Sequence, residues 1–218
     1  MICDALVWSF DAITGIAWLE VVKALAPVGT AVIAFTALKN WQRQDKAKRE
    51  AEFLDALIEA THAYLAEMPS PTTLLEMVKI GFLSRMANGD VKEQMVQGAI
   101  AYITEHGVTE SNRLGDALDV VRPSVVRLDS LATKGQVFQF DGYAACRDSV
   151  GKLTSQFRRL EAFGAIIGSP NWNWENPDVL KVLDNAILLS ANEVRDQLTS
   201  NNTAVLAFAA KTYRRLYG

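Results

Sequence analysis

The chain is poor in the side chains that do chemistry. Its 218 residues include 2 Cys and 2 His. Cys3 and Cys146 share no local spacing with each other or with His62 and His106. CxxC and HExxH are both absent, and a zinc site needs about four clustered ligands. Glu59 and His62 do have the ExxH spacing used by di-iron bundles, but such a bundle needs two of these motifs and two further Glu. His106 sits in EHG at an expected helix C-terminus, where a histidine complements the dipole. No GxSxG, Walker loop or GxGxxG opens a helix after a strand. The sequence therefore assigns no catalytic, cofactor-binding or metal residue and no cofactor. It leaves enzymatic activity undecided.

Charge of one sign is also lacking. There are 22 basic and 25 acidic residues, a net charge of −3. A dedicated nucleic-acid binder carries a basic excess, so nucleic acid is not an expected partner. Only 13 Gly and 6 Pro exclude a collagen-like chain, and 50% apolar residues exclude a largely disordered one.

What is present is concentrated near the N-terminus. Residues 24–38, ALAPVGTAVIAFTAL, carry no charge. Trp18 and Trp41 flank this run 23 residues apart, about 35 Å along a helix. A hydrocarbon core is about 30 Å thick, so the two indoles are placed at opposite interfaces of a span over 18–41. Lys23 lies near one end, within snorkelling reach of headgroups. Pro27 and Gly29 are tolerated in membrane helices. The competing reading is a buried helix of a soluble protein, because the strictly uncharged run is short.

Positive charge gives the orientation. Residues 1–20 hold Asp4, Asp11 and Glu20 but no Lys or Arg. Residues 39–49 hold Lys39, Arg43, Lys46, Lys48 and Arg49 against Asp45. The positive-inside rule then puts the N-terminus outside and the bulk of the chain in the cytoplasm. Cys3 and Cys146 fall in different compartments on this reading, so they are not expected to pair. A cleaved signal peptide has the reverse order, with basic residues before the apolar run. Residues 1–17 place Ile2, Leu6, Phe10, Ile13 and Ile16 near one stripe, which fits an amphipathic segment in the outer interface. As a first span it would hold Asp11 near its centre at about 2.5–3.5 kcal/mol. The basic cluster itself has two readings: a topology signal alone, or recognition of anionic lipid.

Residues 42–68 read as a juxtamembrane helix. Ala47, Ala51, Leu54, Ile58, Thr61, Leu65 and Met68 repeat in steps of four and three, widened by Phe53, Leu57 and Tyr64. The wide stripe points to packing in a bundle. The alternative is a coiled coil, with homo-oligomerisation through Leu54, Ile58 and Leu65. Pro69 and Pro71 end the helix. This single-span arrangement with a basic helix, NWQRQDKAKREAEFLDALIEA, resembles a class of uncharacterised bacterial single-span membrane proteins. The resemblance covers residues 18–68 and implies a bacterial inner-membrane location but no activity.

Residues 72–218 read as an all-α cytoplasmic domain, giving six to seven helices with the juxtamembrane one included. A capping box at Thr72 or Thr73 with Glu76 predicts a helix to about Ala87, followed by an Asn88-Gly89 turn. A helix from Asp90 is predicted to stop at Gly107, and the next to be kinked or split by Pro123 and ended by Gly135. Asp141 caps a helix closed by Gly164 and Gly168. Pro177 opens a helix to about Leu198, and Asn201-Asn202-Thr203 caps the last. The loop SPNWNWEN carries Trp172 and Trp174, which either staple the loop or present a candidate partner surface. Basic and acidic residues are equal in number over 68–218, so no broad field steers a charged ligand.

Three function classes follow from these observations. They are a membrane-anchored interaction or scaffold protein, a membrane-tethered enzyme or small-molecule sensor with a pocket in the helical domain, and a soluble helical protein with a buried N-terminal helix.

Overall fold

The computed structural model describes residues 17–86 and 91–218, with side chains from residue 21 except at 91 and 92. Cys3, the amphipathic segment expected over 1–17 (Ala17 apart) and the Asn88-Gly89 turn lie outside the described residues, as does the side chain of Trp18. Among the described residues the chain is all helical. The elements are α1 (Ala17–Glu67), α2 (Pro69–Ser84), α3 (Val91–Lys134), a 3-10 turn (Gly135–Phe138), α4 (Tyr143–Ile167), α5 (Pro177–Leu188) and α6 (Ala191–Tyr217). The chain forms two compact units, Met1–Glu50 and Ala51–Gly218.

In the first unit every residue from 21 to 44 is exposed. Its apolar stretch is long and apolar enough to cross a membrane, and none of it is buried. Pro27 lies inside the helix without ending it. The Thr30 and Thr36 hydroxyls donate back to the carbonyls of Ala26 (2.9 Å) and Val32 (2.8 Å). Each hydroxyl thereby finds its acceptor on the helix's own backbone, as Thr73, Thr104 and Thr133 also do in the second unit.

The second unit holds the core. Leu54, Leu57, Ala60, Tyr64 and Met68 are fully buried, whereas Ile58 and Leu65 are only half-buried. The buried stripe therefore joins Ala51, Leu54, Thr61 and Met68 of the expected seam to Phe53, Leu57 and Tyr64, expected only to widen it. The Tyr64 hydroxyl donates to the carbonyl of Leu153 at 2.7 Å, fixing α1 to α4. Leu54 is covered by the chain's own core, which leaves Ile58 and Leu65 at its edge.

Several predicted boundaries move, each for a local reason. α2 starts at Pro69, not at Thr72 or Thr73. A proline in the first helical turn forfeits only an N–H that has no intrahelical partner, so the residues that end α1 also start α2. α3 runs unbroken through Gly107 and Pro123. A Cβ on Gly107 would stand 2.1 Å from the carbonyl oxygen of Ile167, so this glycine marks the crossing of α3 with the end of α4 and not a helix stop. Pro123 is exposed, and water can satisfy the carbonyl its missing N–H leaves free. The residue preceding α4 is Gly142 at φ 75°, not Asp141. α5 ends at Leu188 and not near Leu198, because Leu189 and Ser190 turn extended before α6. Asn201 lies buried inside α6, its amide donating to the Gln197 carbonyl at 2.7 Å, and caps nothing.

An aromatic cluster closes one end of this unit. Phe53 lies 5.1 Å from Phe138 and 5.5 Å from Phe140, and Phe208 lies 5.6 Å from Tyr143 between ring centroids. The Tyr143 hydroxyl donates to the Ala132 carbonyl at 2.8 Å, tying α4 to the end of α3. Burial pushes the Tyr64 and Tyr143 phenols above their ordinary range.

Candidate functional site

Three places carry the side chains of interest: the basic turn of α1, the tryptophan loop, and the α5–α6 junction.

On α1, Lys23, Lys39, Trp41, Arg43, Lys46, Lys48 and Arg49 are all exposed. Arg49 pairs with Asp45 at 2.5 Å and Lys46 with Glu50 at 3.7 Å, both one helical turn apart. The largely solvent-facing Arg49–Asp45 pair is worth about 0.3–0.5 kcal/mol, whereas the Glu50 carboxylate of the second pair is buried. The helix thus carries Lys39, Trp41 and Arg43 directly after its apolar band, and the balanced pairs further on.

In the loop the two tryptophans behave differently. Trp174 packs against the core and donates its indole N–H to the Pro170 carbonyl at 3.3 Å. Trp172 stays 39% exposed, its ring 5.9 Å from that of Trp174. It borders a shallow hollow of about 280 Å³ with Val179 and Val182. Asn176 accepts from the Asp178 amide at 2.9 Å and caps α5, with Pro177 behind it. One indole therefore staples the loop, and the other remains accessible.

Nothing in the sequence singles out the α5–α6 junction. Two hollows flank Leu188 and Leu189. One, of about 370 Å³, is bordered by Arg159, Phe163, Asn185 and Glu193. The other, of about 270 Å³, is bordered by Glu76, Lys79, Ile80 and Leu83. The charges here are matched: Arg159 pairs with Glu193 at 2.9 Å, and Arg195 with Glu76. The Lys79 ammonium donates to the terminal α5 carbonyls of Ala186 (3.3 Å) and Ile187. The Ile187 carbonyl is one that the helix end leaves without an intrahelical partner, while the Ala186 carbonyl also accepts from the Leu189 amide. Half-burial pulls the Lys79 amine down to about 8. Its one sequence signal is a lone lysine in the apolar run LLEMVKIGF, and that does not name a distant acceptor.

The other polar and aromatic groups of note are bound into the scaffold or solvated. Glu59 pairs with Arg127 at 2.7 Å, and His62 is exposed. Arg158 pairs with Asp129 at 3.0 Å. Tyr213 donates to Asp55 at 2.5 Å. Among the described residues no group of three or more His, Cys, Asp or Glu converges as a metal site. Cys146 is buried, and burial pushes its thiol up to about 12.

No family model, curated protein or solved structure matches the chain.

Proposed function

We propose that the chain is a membrane-anchored helical protein whose domain serves as an interaction or scaffold module at a bacterial inner membrane. The observation that carries this reading is the wholly exposed apolar band ending at Leu38, followed at once by Lys39, Trp41 and Arg43. Exposing that much aliphatic surface to water is unfavourable by about 25 cal/mol per Å², and a bilayer removes the penalty. On this reading Trp18 and Trp41 mark the two interfaces, the N-terminus is outside, and residues 51–218 are cytoplasmic. The interaction role draws its support from a solid apolar core and from paired charges around the hollows, with Trp172 as the accessible aromatic.

Fractionation tests the anchor. The full chain is expected to stay with membranes through alkaline carbonate washing and to enter solution only with detergent. An N-terminal tag is expected to be cut by protease added to intact spheroplasts, while a C-terminal tag survives. Recovery in the soluble fraction without detergent would refute the anchor. Cleavage of the C-terminal tag with protection of the N-terminal one would reverse the orientation.

A further inference from the structure

We infer that the turn of α1 from Lys39 to Arg43 is a binding surface for anionic phospholipid headgroups; this rests on the membrane-spanning reading above. The exposed apolar band ends at Leu38. At about 1.5 Å per residue, Lys39 and Arg43 stand about 1.5 and 7.5 Å beyond it along the helix. The headgroup layer on each side of a bilayer is about 5–7 Å thick, so both cations, with their flexible stems, reach phosphate depth. The first carboxylates, Asp45 and Glu50, follow about 10 and 18 Å beyond Leu38, past that layer. There they pair with Arg49 and Lys46.

No carboxylate lies three or four residues to either side of Lys39 or Arg43. The two cations are themselves four residues apart on one face, where like charges repel. Both are exposed, with Trp41 between them at 63% exposure. Phosphate oxygens supply the missing counter-charge. A topology signal alone does not require this arrangement, because Asp and Glu contribute little to orientation and their depth would be indifferent. Keeping acids out of the headgroup layer and admitting them just beyond it matches a surface that faces lipid anions.

The full chain is reconstituted in phosphatidylcholine bilayers containing phosphatidylglycerol, and association is measured with spin-labelled forms of each lipid. The expected result is a preference for phosphatidylglycerol of about fivefold per cation at low salt, weakening as salt rises. The Lys39→Gln/Arg43→Gln double variant should insert normally and lose that preference. Equal association of the two lipids with the wild-type chain, or an undiminished preference in the double variant, would overturn the inference while leaving the anchor intact. Failure of the wild-type chain to enter bilayers at all would overturn the anchor, and this inference with it.

Discussion

Replacing Gly107 with alanine tests how α3 meets α4. In a solvent-exposed helix interior, Gly→Ala gains about 1 kcal/mol from the backbone. At Gly107 the added methyl would lie 2.1 Å from the Ile167 carbonyl oxygen and 3.2 Å from Ile103. The first contact is with backbone, so it cannot be relieved by a rotamer change; the end of α4 must retreat by more than an ångström. That end is held by the Ser111 hydroxyl on the Gly164 carbonyl at 2.8 Å and by the Gly168 amide on the same carbonyl at 2.9 Å. Overpacking of this kind costs about 1–3 kcal/mol, and loss of the Ser111 bond about 1 more. The net expectation for Gly107→Ala is destabilisation by about 1–3 kcal/mol, a fall in Tm of about 3–10 °C for a chain of this size. Gly115 provides the control in the same helix, since a Cβ there meets nothing within 4 Å. Gly115→Ala should raise Tm by about 2–4 °C. Thermal unfolding of the full chain in a mild detergent, followed by far-UV circular dichroism, reads both. Should Gly107→Ala melt at or above the wild type, the close crossing of α3 and α4 is wrong.

Lys79 predicts the sign of a pH effect. Its amine titrates near 8 in the fold, below the ordinary 10.5, because burial disfavours the charged form. The unfolded chain therefore binds more protons between those values, and stability should rise as pH increases from about 8 until tyrosines begin to ionise near 10. Discounted for half-exposure, the gain is about 1–2 kcal/mol. Lys79→Met should flatten that slope in a series of thermal melts, and an unchanged slope would remove Lys79 as its origin. Cys146 predicts a chemical contrast: with its thiol held near 12 and buried, a Cys3→Ser variant should resist maleimide at pH 8 until denaturant is added. Rapid labelling of the native variant would contradict the packing of α4.

The sequence alone determined the helical class, the apolar N-terminal stretch and the basic turn after it. These are properties of runs and periods: residues 24–38 lack charge over enough length, and Ala51, Leu54, Ile58, Thr61, Leu65 and Met68 recur at helical spacing whatever they touch. The loop SPNWNWEN was legible as distinctive. Which indole staples it and which stays accessible followed only from the packing of Trp174 on the core.

Helix boundaries needed the tertiary structure. Glycine and proline are read locally as stops, yet Gly107 is there to admit the Ile167 carbonyl, and Pro123 sits on an exposed face where water can reach the carbonyl it leaves unbonded. Asn201 reads as a cap until its amide is seen to bond the preceding turn. The break at Leu189 and Ser190 holds no glycine or proline; its sequence signal is the capping-box spacing of Ser190 and Glu193 at the start of α6. The same limit hid Lys79, whose acceptors at Ala186 and Ile187 lie more than a hundred residues along the chain. A one-dimensional pattern records what each residue prefers. Contacts between distant segments decide which preferences are overridden, because only the assembled bundle fixes where backbone approaches backbone and which polar groups find partners.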